Sequence, residues 1–446
     1  MAAFRICIIG AILVGRPVWS AETVALREQA KPGQVAHVTV ELTAEGRYRP
    51  GGAEAKPLAM KVQTRFDFVE RVGEVGPDGA ARRVVRKVNQ AAAAINGEVR
   101  PLASQLRPEV SLLIAERRRD GSIISYSPSG PLTRSELELV QGVGDPLALP
   151  GLLPEKPVAL GDRWVASAEA ARALSGYDAL ALNRLEATLE ALDAASAKVR
   201  LKGEVRGAAM GGEGTIGLDG TLSFDRQAGR IERLVVQRNE NRKPGPVEAG
   251  LEMKSTLTVE RREAVTTPPE LSDTVVDGLP PRAEQHLELL VFSPPDGKYT
   301  LLHDRDWHIF WDDTRQAVLK RLDHGEIVAQ CNLAIGPNAG KGRHQDLEQF
   351  RDDIRRALGR RFVQILGAGE VEGAPGGGFR YRVAVQGREG DAGILWYYYL
   401  VASPEGDQLL ATFTLGEAQA KAFGDQDLQL IGSLEWKGAA AGGGGR

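Results

Sequence analysis

Three polar side chains in the second half of the chain belong to types that bind metal ions or transfer protons. Asp304, Asp306 and His308 alternate along a predicted strand, so we expect them to share one face. Carboxylate and imidazole groups ligate transition metals and act as acids and bases. No fourth ligand or paired motif accompanies them, so a polar strand edge and a turn is the favoured interpretation. We predict no metal site, no cofactor and no catalytic residues.

Cys331 and His344 have the residue types of a thiol nucleophile and its base. Cys331 lies in the apolar run from Ile327 to Ile335, where a cysteine ordinarily acts as a small buried hydrophobe. Reactivity requires a thiolate, which burial disfavours. The sequence therefore favours packing over catalysis for Cys331.

The glycine-rich segment from Gly336 to Gly342 follows a predicted strand and precedes a predicted helix, which is the context of a phosphate-binding loop. Its spacing differs from that motif, because only three residues separate Gly336 from Gly340. Gly342 also occupies the position of the Ser or Thr that binds magnesium. We interpret the segment as a flexible connection.

The aromatic run Trp396, Tyr397, Tyr398 and Tyr399 has the residue types of a stacking or sugar-binding platform. It lies in a predicted hairpin, Ile394 to Leu415, whose first strand is apolar on both alternating faces. A strand of this kind needs cover on both sides. We therefore expect the aromatic run to lie in a core.

Composition limits the classes of partner. The chain has 446 residues, 42% hydrophobic and 26% charged, with a formal net charge of −3. This balance is typical of globular proteins and gives no general attraction to nucleic acid. The length predicts two or three domains.

The N-terminus resembles a secretory signal peptide over residues 1–21. Arg5 precedes the apolar run from Ile6 to Gly15, and small residues follow at Ser20 and Ala21, where we expect cleavage. The run is too short to span a bilayer, so we expect no integral membrane span. A short buried first strand is the alternative interpretation. Export to the periplasm or secretion follows from the first interpretation.

The region 22–263 predicts an antiparallel β domain, either an open half-barrel or a curved sheet. Short alternating runs recur between turns, and only Ala168 to Leu174 has clear helix-forming composition. Asn183 to Leu192 fits both helical and strand spacing, and its neighbours favour a strand. Gly142 to Gly161, rich in Pro, Gly and Leu, predicts an extended, irregular crossing over the surface or an open sheet end.

Residues 264–285 contain two Pro-Pro pairs and predict a linker, so we place a domain boundary there. Residues 286–437 predict an α/β/α domain, with helices Gln345 to Arg361 and Glu417 to Leu434 covering an antiparallel sheet. Residues 438–446 have the composition of a disordered tail. The overall fold class is therefore α+β.

The order of elements from Asp296 to Trp436 resembles the PsbP-like fold, whose members include an extrinsic photosystem II protein and a Ran-binding nuclear import factor. The resemblance rests on short packing motifs and implies the fold alone. They are Asp306-Trp307-His308, Gln330-Cys331-Asn332-Leu333, Leu347-Glu348-Gln349-Phe350, Ala357-Leu358-Gly359 and Leu430-Ile431-Gly432-Ser433-Leu434.

The first domain resembles the open half-barrel of LolA-like envelope carriers in its strand richness and its export signal. Three hypotheses about function follow. The favoured one is an exported, non-catalytic binding or assembly module of a bacterial cell envelope, with an unknown protein partner. The alternatives are a carrier of a lipid or other apolar ligand and, third, a hydrolase-type enzyme built on Asp304, Asp306 and His308.

Overall fold

The computed structural model describes residues 23–50, 56–96, 98–99, 105–371 and 378–437. The predicted signal peptide and the predicted disordered tail lie outside these ranges and stay predictions. Within the described ranges, no helix has both the length and the apolar character needed to cross a bilayer.

A thirteen-stranded antiparallel sheet dominates the first 263 residues, as the alternating sequence predicts. Its main path runs β6-β5-β3-β2-β1-β13-β12-β11-β10-β9-β7, with β4 beside β3 and β8 beside β10. The strands are β1 (Val35–Arg49), β2 (Leu58–Val75), β3 (Ala81–Ile95), β4 (Glu98–Val99), β5 (Leu112–Arg117), β6 (Ile123–Tyr126), β7 (Arg163–Val165), β8 (Ala179–Asn183), β9 (Glu186–Leu192), β10 (Ser196–Ala209), β11 (Gly212–Asp225), β12 (Arg230–Arg242) and β13 (Gly250–Glu263).

One face of this sheet, termed the covered face, carries the apolar residues of each alternation. Val40, Leu222 and Leu257 are buried there against short helices that cross the sheet. These helices are α1 (Arg134–Val140), a 3-10 helix (Pro146–Leu152) and α2 (Ala168–Ser175). The opposite face, termed the open face, carries the intervening polar residues.

The expected irregular crossing at Gly142 to Gly161 is wrong in part. Leu147, Leu149 and Leu152 lie in the 3-10 helix, and the last two are fully buried in the core. Helix α1 was not predicted, although Thr133 and Glu136 form a capping box at its start. This spacing of Thr and Glu is a sequence signal for a helix N-terminus.

The segment predicted as a linker packs against the large sheet. It contains a 3-10 helix (Pro269–Leu271), α3 (Asp273–Asp277) and, across its end, α4 (Gln285–Glu288). Leu271 is fully buried beside Val69 and Val85. The Nη1 of Arg71 donates to the carbonyl oxygen of Leu271 at 2.8 Å. The segment is therefore held in place, while the domain boundary itself stays a prediction.

Two further antiparallel sheets follow. A three-stranded sheet contains β14 (Leu290–Phe292), β15 (Tyr299–His303) and β23 (Glu435–Trp436). A seven-stranded sheet runs β16-β17-β18-β22-β21-β20-β19. Its strands are β16 (Trp307–Asp312), β17 (Gln316–Asp323), β18 (Glu326–Gly336), β19 (Phe362–Glu370), β20 (Phe379–Glu389), β21 (Ala392–Ala402) and β22 (Gln408–Gly416).

Helices cover both faces of the central hairpin β21-β22, as predicted. Helix α5 (Leu347–Leu358), extended by a 3-10 turn (Gly359–Arg361), packs Phe350 and Ile354 against the face that contains Trp396. Phe423 and Ile431 pack against the other face, which contains Tyr399.

The second predicted helix, Glu417 to Leu434, is wrong as one element. It is a 3-10 turn (Glu417–Gln419) followed by α6 (Ala420–Phe423) and α7 (Gln426–Gly432). Gly424 interrupts it with φ of 54°, a left-handed value that ends helices and favours glycine. In α7, Leu428 is exposed and Leu430 is buried.

Candidate functional site

The first candidate cluster does not form as the sequence predicts. Asp304 and Asp306 lie in the turn between β15 and β16, whereas His308 lies on β16. Asp304 Oδ1 accepts hydrogen bonds from the backbone N–H groups of Asp306 at 2.9 Å and Trp307 at 3.2 Å. Asp306 Oδ2 lies 3.2 Å from Arg321. Across the described ranges, no three His, Cys, Asp or Glu side chains are placed to hold a metal ion.

Two histidines near this turn are held neutral. Burial lowers the pKa of His303 to about 4 and that of His308 to about 4, and the nearby Arg134 adds to both shifts. His303 Nδ1 lies 2.7 Å from the carbonyl oxygen of Asp304. Arg134, on α1, donates to the carbonyl oxygen of Trp307 at 2.7 Å. The contact of Arg134 with Trp307 joins α1 in the first half of the chain to β16 in the second half, and the two histidines do not form an acid-base pair.

Cys331 and His344 make separate contacts. Cys331 is fully buried in the cluster around Leu319 and Phe413, and burial raises the pKa of its thiol, with Asp427 adding to the shift. The ring of His344 stacks on Phe379 with centroids 3.5 Å apart. Packing is the role that this geometry supports for Cys331.

The glycine-rich loop is occupied by backbone contacts. The N–H of Ala339 donates to the carbonyl oxygen of Gly406, and the N–H of Gly342 donates to that of Pro404, both at 2.9 Å. Asn338 Nδ2 donates to Asp407 Oδ1, also at 2.9 Å. A phosphate cradle needs free N–H groups, whereas these tie the loop to the hairpin turn.

The aromatic run contributes to structure. Trp396 and Tyr399 are buried in opposite cores, as the two-sided apolar pattern predicts. The hydroxyl of Tyr399 donates to Asp427 Oδ2 at 2.7 Å, and Arg382 Nε donates to the same oxygen at 2.8 Å. Burial raises the pKa of Tyr399, and Asp427 adds to the shift. This trio fastens α7 to the sheet.

A buried network of ion pairs lies in the core of the large sheet. No pattern in the sequence predicts it. Arg86 donates from Nη1 and Nη2 to both carboxylate oxygens of Asp145 at 2.8 Å, and it lies 3.3 Å from Glu70. Arg261 pairs with Glu28 at 2.8 Å. Burial disfavours the charged forms of both Arg86 and Asp145. The attraction of Asp145 and Glu70 outweighs this effect and raises the pKa of Arg86, and the attraction of Arg86 likewise lowers the pKa of Asp145. The network ties β2, β3 and β13 to the crossing segments.

The open face of the large sheet is concave and forms a groove of about 1040 Å³, which we term the polar groove. Its floor and walls come from β1, β2, β10, β11, β12 and β13. A second concavity of about 680 Å³ adjoins it and shares Glu204, Gly217, Asn239 and Lys254. The two form one continuous depression across the middle of the sheet, and the term polar groove covers both.

Acidic and basic side chains line this depression in equal number, and amides lie among them. Lys61, Lys202 and Lys254 are exposed and form no ion pair within the described part of the chain, whereas Glu204 pairs with Arg206 at 2.7 Å. The charged lining residues of the open face are Glu45, Arg47, Lys61, Arg184, Glu186, Lys202, Glu204, Asp219, Glu252 and Lys254.

Gly217 leaves room in the floor of the polar groove. A Cβ placed there meets Asn239 O at 4.0 Å and nothing nearer. The missing side chain deepens the depression between the flanking polar residues. The polar residues that alternate with apolar ones along these strands are the sequence feature that corresponds to this site. The same alternation occurs in any sheet with one face exposed to solvent, so it does not identify a site by itself.

No known protein family matches the chain, and no curated protein matches it. Solved structures give weak likenesses. A cyanobacterial PsbP from Synechocystis is 15% identical with a TM-score of 0.25, covering 34% of this chain and 93% of its own. The Saccharomyces cerevisiae Ran-binding protein Mog1p is 11% identical with a TM-score of 0.26, covering 33% and 95%. A Bacteroides thetaiotaomicron structure is 14% identical with a TM-score of 0.24, covering 33% of this chain and 48% of its own.

These scores carry no argument about function. The PsbP-like assignment therefore stays a prediction, and no LolA-like structure is among these likenesses.

Proposed function

We propose that the chain is an exported, non-catalytic binding or assembly module of the bacterial cell envelope. We propose further that the polar groove holds an extended segment of a partner polypeptide. The observation that carries this proposal is a concave surface lined by charges of both signs and by amides, on which Lys61, Lys202 and Lys254 form no ion pair within the described ranges. Polypeptide carries both signs of charge along with backbone donors and acceptors, so it matches such a lining.

Other ligand classes fit the polar groove less well. Nucleic acid needs an excess of cations, whereas the lining is balanced. Compact small-molecule sites bury most of their ligand, whereas this groove is open to solvent and most of its charged side chains are exposed. The apolar carrier remains the alternative function. Against it, Leu149, Leu152 and Leu174 fill the covered face of the sheet with side chains.

Filling the groove tests the proposal. Gly217→Tyr places a ring in open space, so we expect a folded protein that no longer retains peptides. Ser223→Tyr is the matched control, because Ser223 lies on the same strand and the same face outside the groove lining. A library of soluble ten-residue peptides containing Asp, Glu, Lys, Asn and Thr serves as the probe, and retained peptides are measured by mass spectrometry.

We expect retention by the unmodified chain and by Ser223→Tyr, with loss in Gly217→Tyr. Equal retention by all three proteins contradicts the groove assignment. A copurified lipid identified in the unmodified chain supports the carrier instead. Fractionation of cells tests export separately, because a cytoplasmic product that retains Met1 contradicts it.

A further inference from the structure

We propose that β19, one edge of the seven-stranded sheet, is a self-complementary surface through which two copies of this chain pair antiparallel. The pairing joins two seven-stranded sheets across a two-fold axis. It is independent of the polar groove, which lies on a different sheet.

The edge position of β19 leaves backbone groups without partners. Among the described residues β19 pairs with β20 on one side only, and alternate residues of an edge strand direct their N–H and C=O groups away from the sheet. The eight residues from Phe362 to Gly369 contain no charge and no proline. Edge strands of soluble proteins usually contain charged residues or proline, which hinder pairing with another strand.

Apolar side chains on β19 face solvent. Val363 is 50% exposed and Leu366 is 54% exposed, while Phe362 and Ile365 pack towards α5. Val363 and Leu366 are the extra residues where the register with β20 shifts, so each is turned out of the ladder. A Cβ added at Gly367 or Gly369 meets nothing within 4 Å, which leaves space beside the strand for a partner.

The opposite edge of the same sheet is protected. Strand β16 ends in Asp312 and is followed by Asp313. Lys320 Nζ lies 3.5 Å from the ring centroid of Phe310. Charges and a covering lysine discourage strand addition there. The contrast makes β19 the edge at which pairing is expected.

Charge at the two ends of β19 selects a second copy as the partner. Arg360 lies in the 3-10 turn (Gly359–Arg361) that leads into the strand and Glu370 ends the strand, both are exposed, and neither takes part in an ion pair within the described ranges. A two-fold axis at Ile365, one residue from the middle of Phe362–Glu370, brings the turn that carries Arg360 in each copy to the end of the strand that carries Glu370 in the other. Opposite charges at facing positions favour an antiparallel pair, and the symmetry uses the contact twice.

Sedimentation equilibrium of the purified full chain, at concentrations up to about 200 µM, tests the proposal because a single strand pair gives a weak dimer. We expect a monomer-dimer equilibrium that Leu366→Lys weakens by roughly tenfold or more. Ile327→Lys is the matched control, since Ile327 is an exposed apolar residue of the same sheet away from β19. Thermal melting establishes that each variant is folded.

Charge reversal tests the facing ends. Arg360→Glu and Glu370→Arg are each expected to weaken the dimer on the order of tenfold, and the double variant is expected to recover most of that loss. A monomeric unmodified chain contradicts the proposal. So does a dimer that is insensitive to Leu366→Lys, or a double variant as weak as the single reversals.

Discussion

The buried ion network around Arg86 gives the first prediction at the residue scale. Asp145→Asn keeps the side-chain oxygen that accepts from the N–H of Leu147, but it removes the charge that Arg86 faces from 2.8 Å. Because breaking a buried ion pair leaves a charge without compensation, we expect a loss of about 3 kcal/mol in the free energy of unfolding.

Urea denaturation measures this loss. Asp219→Asn is the control, because Asp219 pairs with Arg200 at the surface and is expected to contribute less than about 1 kcal/mol. Equal effects of the two substitutions would mean that the buried network is no more important to stability than a surface pair.

His303 gives a second prediction, concerning acid stability. Its pKa of about 4 in the folded chain lies below the ordinary value of 6.5, so the fold favours the neutral ring. As the pH falls, the unfolded chain therefore binds the proton before the folded chain does. The free energy of unfolding decreases from a pH of about 6.5 down to the folded pKa of about 4. From pH 7 to 5 we expect this residue to cost about 2 kcal/mol.

The measurement compares urea denaturation of the unmodified chain and of His303→Gln at pH 7 and pH 5. The variant is expected to lose less stability over this range, while Arg134, His308 and Asp306 remain in both proteins. An identical loss in the two proteins rules out His303 as the cause.

At the residue scale, the sequence predicts which side chains are buried better than it predicts which side chains contact one another. Cys331, Trp396 and Tyr399 are buried as expected, because apolar runs and alternation determine which side chains leave water. The pairing of Arg86 with Asp145 was beyond prediction, since 59 residues separate them and register over that distance is not encoded locally.

At the scale of elements, the N-terminus of α5 gives a third prediction. Asp346 accepts hydrogen bonds from the N–H groups of Glu348 at 2.8 Å and Gln349 at 3.3 Å. Asp346→Ala removes this cap, and we expect a loss of about 1 kcal/mol in the free energy of unfolding.

Asp352→Ala on the same helix is the control for the cap. Asp352 is exposed and pairs with Arg355 at 2.8 Å, so its loss is expected to cost only a few tenths of a kcal/mol, roughly. A larger effect at Asp352 than at Asp346 would contradict the capping role.

Strands were the most predictable elements, and irregular ones the least. The long strands of the first sheet follow from strict alternation, and β9 is a strand as its neighbours indicated. Strand β19 was not predicted, because the register shifts at Val363 and Leu366 break the alternation. Gly424 ends α6 through a backbone angle that a helical spacing of apolar residues does not reveal.

At the scale of the whole molecule, the open face of the large sheet is the surface that we propose for partner binding. Its polarity is readable in the sequence, but its concavity depends on how thirteen strands twist together. The candidate site residues in the second half of the chain, including Cys331 and the glycine-rich loop, are engaged in packing and in backbone hydrogen bonds. The polar groove therefore emerges only when the strands are assembled.

Lysine footprinting in a cell-envelope preparation tests the central claim most directly. Acetylation of Lys61, Lys202 and Lys254, measured by mass spectrometry, is compared between the chain in its envelope and the purified chain. Lys421 and Lys437, which lie outside the groove, are the controls. A partner segment in the polar groove predicts protection of the three groove lysines with unchanged labelling of the controls, and equal labelling of all five in both preparations would contradict the account.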